Sequence, residues 1–256
     1  MNFFFGIKGS NIDSKLTIPR FQNSHPTKKE YIVFQLEVSN KKWKASHLNN
    51  IKISQDFYQI DNHVINNGSI FCLSTRAEFL ELEKSNYSKL LNLNTYTDTN
   101  PDFRANLQVS IKGGGFSSYQ SDYPFSMVTK KGSILSPLSS LCNISADNNI
   151  IFLKNIYELP IQDKFNAYFV DLKERKVLKK EVLQTNFLNE ISVEKELIKP
   201  DVFLFTDQYL GVPIYCSIKN KHISLEHTHP PHEYIMSQDK FNTINKLKKE
   251  FFEIIN

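Results

Sequence analysis

The chain has 256 residues, 40% of them hydrophobic and 23% charged; this excludes a disordered or fibrous protein and leaves ample core for one large domain or two small ones. Its formal net charge of +4 comes from scattered rather than striped lysines, which argues against nucleic acid as a partner. No apolar run approaches the length of a membrane span, and Met1-Asn2-Phe3-Phe4-Phe5-Gly6 has neither the basic start nor the apolar length of a signal peptide; the expectation is a cytoplasmic protein with no membrane partner.

From the start of the chain, Tyr31 to Val38, Ile51 to Ile60 and Ser69 to Leu73 read as strands, with Asn49-Asn50 and Asn66-Asn67-Gly68 as turn punctuation. Trp43, among Lys41, Lys42 and Lys44, reads as half-buried in a basic loop. Thr75-Arg76-Ala77-Glu78 has the form of a capping box, and the apolar stripe behind it predicts a helix over 75–93. Asn94 to Pro101 is a polar connector, so the expected division is a β-rich N-terminal region over 1–97 and a second domain over 98–256.

Phe103 to Ile111 is strand-like and runs into Gly113-Gly114-Gly115. A phosphate loop needs a helix behind its glycines, and Tyr119 to Pro124 supplies none, so the glycines read as a turn or a close approach of backbone to another strand. Ser117 and Ser118 lie outside any nucleophile-elbow pattern. Tyr119, Gln120, Asp122 and Tyr123 mix flat apolar faces with hydrogen-bonding groups, the composition of a surface for a small polar molecule or a glycan; core aromatics of a sheet have the same composition.

Short strands at Ser126 to Thr129, Ile150 to Leu153, Phe165 to Leu172, Val177 to Leu183, Phe187 to Val193 and Val202 to Thr206 follow, separated by turn signals. This spacing predicts a mainly β protein, an antiparallel β-sandwich with the β-rich N-terminal segment and one internal helix. No internal repeat is evident. Phe241, Ile244, Leu247, Phe251 and Ile254 mark a C-terminal amphipathic helix with Ser237 as N-cap and Lys246, Lys248 and Lys249 on its solvated face. Cys72, Cys142 and Cys216, an odd number far apart in apolar surroundings, read as reduced buried thiols.

The most pointed chemistry lies between Val212 and Glu233, where four of the seven histidines fall. Two runs, 212–218 and 222–229, flank Lys219-Asn220-Lys221 and predict a β-hairpin. A two-residue loop at Asn220-Lys221 pairs Ile218 with Ile223, Cys216 with Leu225, Ile214 with His227 and Val212 with His229, all on one buried face. Ser217, Ser224, Tyr215 and Glu226 would then share a wetter face. Pro230-Pro231 must end the strand, which turns His232 and Glu233 back toward the pair, and Asp207 and Tyr209 come within reach of His229.

The string His227-Thr228-His229-Pro230-Pro231-His232-Glu233 resembles the first metal motif of the cupin family, two histidines one residue apart followed after three residues by a glutamate. The resemblance implies ligation of a divalent transition metal by His227, His229 and Glu233. It covers seven residues; Lys221 stands about where that family has a glycine, and too little chain follows for its second motif, so it carries no implication of the cupin fold.

Imidazole and carboxylate are in any case good ligands for zinc, iron, manganese or nickel. Cys216, diagonal to His227, is an extra candidate ligand that reads more simply as core. Three functions are consistent with these residues. One is a cytoplasmic metal-binding protein, an enzyme on a small polar or sugar-like substrate, with His232 as acid/base. The second is a non-catalytic module for glycan or protein built on Tyr119, Gln120, Asp122 and Tyr123. The third is an assembly protein with the histidine hairpin at an interface.

Overall fold

The structure is a computed structural model that describes residues 2–20, 31–84, 90, 104–227 and 238–256. It is mainly β, with every sheet antiparallel, as the spacing of turn signals predicts. The first part holds β1 (Asn2–Phe4), β2 (Ile12–Pro19), β3 (Ile32–Ser39), β4 (Lys42–His47), β5 (Lys52–Ile53), β6 (Phe57–Ile60), β7 (Ile70–Ser74), α1 (Arg76–Lys84), β8 (Asn106–Ile111), β9 (Phe116–Gln120) and β10 (Asp122–Tyr123). The second holds β11 (Leu135–Pro137), β12 (Asn148–Lys154), β13 (Lys164–Asp171), β14 (Lys176–Gln184), β15 (Leu188–Val193), β16 (Val202–Thr206), β17 (Val212–Lys219), β18 (His222–His227) and α2 (Lys240–Ile255).

The sheets run β10-β1-β7-β3-β4, β5-β6-β2-β8-β9, β11-β16-β13-β14 and β15-β12-β17-β18. These orders contain a repeat that the sequence hides. Matching β1, β7, β3 and β4 to β11, β16, β13 and β14 also matches β6, β2, β8 and β9 to β15, β12, β17 and β18 in the same chain order. The same connectivity is therefore drawn twice. Within the last hairpin of each half, Ser110-Ile111-Lys112 corresponds to Ser217-Ile218-Lys219. Sheet pairing also crosses the division expected at 97/98, because β8 and β9 complete the sheet of β2.

Three apolar cores fill the structure, and the first of them joins the halves. Side chains of β1 to β10 pack with Phe152, Ile214, Cys216, Ile223 and Leu225, which all point to one face of the β15-β12-β17-β18 sheet. The alternate residues Ile151, Leu153 and Tyr215 face a second core with Phe165, Phe169 and Leu204. With both faces buried, β12 shows an unbroken apolar run instead of alternation. Tyr215, expected on a wetter face, is accordingly 1% exposed. Behind the β11-β16-β13-β14 sheet, Phe251 of α2 lies against Phe203 and Phe205 at ring separations of 5.6 and 5.2 Å.

Local chemistry explains the elements and the departures from expectation. In the capping box, the Thr75 N–H donates to Glu78 Oε2 and the Glu78 N–H to Thr75 Oγ1, at 2.9 and 3.4 Å, so α1 begins as predicted. It does not run unbroken to 93, since the Leu90 N–H donates to the Glu158 carbonyl at 2.9 Å. Ser126 to Thr129 is not a strand: Pro124 fixes φ at −61° and a single helical turn follows over Phe125–Val128.

At the start of α2 the described N-cap is Asp239, and Ser237 lies outside the described residues. Phe241 is 61% exposed instead of facing the core. Lys248 is not on the solvated face, because its Nζ donates to the Ser133 carbonyl at 2.9 Å. Trp43 lies in β4 rather than a loop and is fully buried, its Nε1–H donating to the Glu158 carbonyl at 2.8 Å.

Candidate functional site

The β17–β18 hairpin has the predicted register. Ile214 opposes His227, Cys216 opposes Leu225 and Ile218 opposes Ile223. Asn220 and Lys221 have φ of 49° and 64°, the left-handed pair of a type I′ turn. His227 closes β18 and continues the face of Ile223 and Leu225, half-buried where they are buried. Its partners in the metal motif, His229 and Glu233, and the proposed acid/base His232 lie outside the described residues, as does the expected approach of Asp207 and Tyr209 to His229.

Asp207 and Tyr209 have clear structural work among the described residues. Asp207 accepts hydrogen bonds from the Asn166 backbone N–H and Nδ2 at 3.0 and 2.7 Å. Tyr209 is buried, and its hydroxyl donates to Asp163 Oδ2 at 3.3 Å. Cys216 is core as well, 1% exposed, and burial, aided by the Glu190 charge, pushes its thiol up to about 12. Among the described residues no three of the His, Cys, Asp and Glu side chains gather to hold a metal ion.

The glycine loop meets this hairpin. Gly115 N–H donates to the Lys221 carbonyl at 2.8 Å, and a Cβ on Gly114 would stand 2.5 Å from that oxygen. Gly113 has φ 69°. Both expected uses of glycine, positive φ and close approach, therefore occur in one loop. At the far end of the same strands, the Tyr119 ring lies 4.6 Å from the His227 ring, tilted by 45°. The shared Ser-Ile-Lys frame makes Tyr119 and His227 equivalent positions in the two halves, since Leu107 opposes Tyr119 as Ile214 opposes His227. Equivalent residues of a repeated unit thus touch across the seam between the halves.

Asp122 and Arg104 stand beside this contact. Asp122 Oδ1 accepts the Ala105 N–H at 3.1 Å, and Oδ2 is 3.8 Å from Arg104 Nη1. Burial raises the Asp122 carboxyl to about 6, against the opposing pull of that hydrogen bond and of Arg104. The Tyr119 hydroxyl is held well above its ordinary value, first by burial and then by the Asp122 charge. No known protein family, curated protein or solved structure matches this chain.

Of the four predicted ligand-contacting residues, Tyr119, Gln120 and Asp122 are half-buried in this region. Tyr123 is corrected: it is 3% exposed, pairs with Phe3, and donates its hydroxyl to the Ile156 carbonyl at 3.1 Å, so it is a core residue. Arg104 was missed, and nothing in its polar neighbourhood marks it. Alternation could have exposed Lys154, because it shares a parity with Ile150 and Phe152 at the end of an apolar run.

The position of Asp122 makes a pH prediction. With the folded value above the unfolded one, the folded state binds more protons between about pH 4 and 6, and stability falls as pH rises through that window. Asp122→Asn keeps an acceptor for the Ala105 N–H and removes the charge. Discounted for partial exposure, it is expected to be about 1–2 kcal/mol more stable than wild type at pH 8, with the gap closing toward pH 4 in urea titrations. A constant gap across this range would reject the assignment.

Proposed function

We propose that the protein is a cytoplasmic metal-binding β-sandwich protein acting on a small polar or sugar-like molecule, with the site at the seam between its halves. His227, His229 and Glu233 would ligate a divalent transition metal, and His232 would move the proton. Tyr119, Gln120 and Asp122 would orient the organic ligand. The observation that supports this reading is the 4.6 Å contact of Tyr119 with His227, one member of each sequence-predicted set. Three free buried cysteines fit a reducing compartment.

The test is metal content by mass spectrometry of untagged protein purified without chelator, alongside His227→Ala/His229→Ala. Near-stoichiometric metal in wild type and its loss in the double variant is the expected result. A wild type that stays empty after incubation with zinc, iron, manganese and nickel overturns the reading. A non-catalytic glycan- or protein-binding module is the second reading, favoured by Phe116, whose ring is 65% exposed at the head of β9.

A further inference from the structure

Lys154 is the least expected residue in the interior. It is 1% exposed at the end of β12, where the strand faces the first half of the chain. Its Nζ donates to the carbonyls of Ser69 at 2.9 Å and Asn67 at 3.2 Å, both in the turn before β7. The Asn67 carbonyl also accepts the Leu188 N–H of β15 at 2.8 Å. One turn of the first half is thus pinned by two neighbouring strands of the second, and the pin ends in a lysine. Buried lysines ordinarily have a carboxylate partner; Lys154 forms no ion pair among the described residues.

The ionisable groups on the elements packed around it do not compensate. Glu37 on β3 is engaged by Gln35 Nε2, which also donates to Ser69 Oγ. Cys72 on β7 is held neutral by burial. Glu190 on β15 borders Gly9, 3.6 Å from where a Cβ there would stand, and Cys216 on β17 is a neutral thiol. Glu158, past the end of β12, is buried, and the Lys154 amine feels desolvation and no charge from it. The turn itself, Asn66 to Ser69, has no titratable side chain.

We propose that Lys154 is a proton-sensitive clasp between the two halves of the protein: uncharged, it seals the 66–69 turn onto β12 and β15, and protonation opens that turn to water. A neutral amine still donates to a carbonyl and has no ion to hydrate, whereas an ammonium in the same place lacks both water and a counter-charge. Burial alone lowers the Lys154 value to about 7, which sets the pH range. The sign follows: below the folded value both states are protonated and the penalty of the buried charge is complete. As pH rises through about 7 toward the unfolded value the folded state sheds its proton and gains stability.

The test is hydrogen exchange of the intact protein at pH 6 and pH 8, followed by NMR. The Leu188 amide reports the clasp. The protection factor of Leu188, corrected for intrinsic rate, is expected to be about tenfold lower at pH 6 than at pH 8. In Lys154→Gln, which keeps a donor and cannot ionise, the difference at Leu188 should vanish. Equal protection of Leu188 at both pH values in wild type overturns the proposal, as does a tenfold drop that persists in Lys154→Gln. If that variant does not fold, Lys154→Met, which fills the same space and cannot ionise, takes its place, and a tenfold drop that persists there rejects the clasp.

Discussion

Trp43→Ala should lower the unfolding free energy by about 3–5 kcal/mol, the largest single loss expected from a side chain in this protein. The indole is 1% exposed on β4, and its Nε1–H reaches across the seam to the Glu158 carbonyl at 2.8 Å. Truncation therefore leaves a large cavity in the first core and removes one of the two hydrogen bonds to the Glu158 carbonyl, the Leu90 N–H keeping the other. Trp43→Phe separates these effects: it fills most of the cavity but cannot donate, and should cost about 1–3 kcal/mol. Urea unfolding monitored by circular dichroism would measure both variants. A loss below about 1 kcal/mol for the alanine variant would show that β4 is not packed across the seam as described.

Gly114→Ala is expected to act at the other end of the seam. The new Cβ would lie 2.5 Å from the Lys221 carbonyl oxygen and 2.9 Å from the Lys221 Cβ, and because the nearer contact is backbone no rotamer change relieves it. The two hairpin tips must move apart, which breaks the 2.8 Å bond from Gly115 N–H to Lys221. About 1–3 kcal/mol of stability should be lost, with the imidazole resonances of His227 shifting as the Tyr119 ring moves away. Gly113 provides the contrast. A Cβ there meets nothing within 4 Å, so Gly113→Ala should cost only the strain of φ 69°, about 1 kcal/mol, and leave the His227 resonances in place. Equal thermal shifts for both variants would mean that the tips are not in contact.

Hairpins were the most legible part of the fold, because their register follows from local turn chemistry. Asn220-Lys221 and the alternation around it fix the pairing of β17 with β18 down to Ile214 opposite His227. The C-terminal helix was similarly plain from its stripe, and the capping box at Thr75 marked where α1 starts. What could not be read was the choice of partner for each hairpin. Strand order depends on contacts far apart in sequence, so β8 reads equally well as the start of a second domain or as the neighbour of β2. The repeat was hidden for the same reason: it resides in the order of strands, with only Ser-Ile-Lys shared between the last hairpins.

At the candidate site, sequence chemistry identified Tyr119 and His227 separately but had no means of bringing them together. Tyr123 misled because a buried tyrosine with a satisfied hydroxyl and a ligand-facing one have the same neighbours in sequence. Tyr215 misled differently. The hairpin alternates cleanly, which suggested one wet face, yet β17 lies inside a sheet covered on both sides.

The pairing of β1 with both β7 and β10 has a further consequence for how the molecule is made. Phe3 opposes Cys72 on one side and Tyr123 on the other, so the earliest strand waits for two partners that are synthesised much later. Among the described residues, no strand of the first two sheets needs a ladder partner beyond residue 123. On a ribosome, where domains tend to fold in the order they emerge, the first half can settle its hydrogen-bonded framework while the second is still being translated. The later half then arrives at an existing surface, and the bonds of Trp43, Leu90 and Lys154 across the seam are the last to be made.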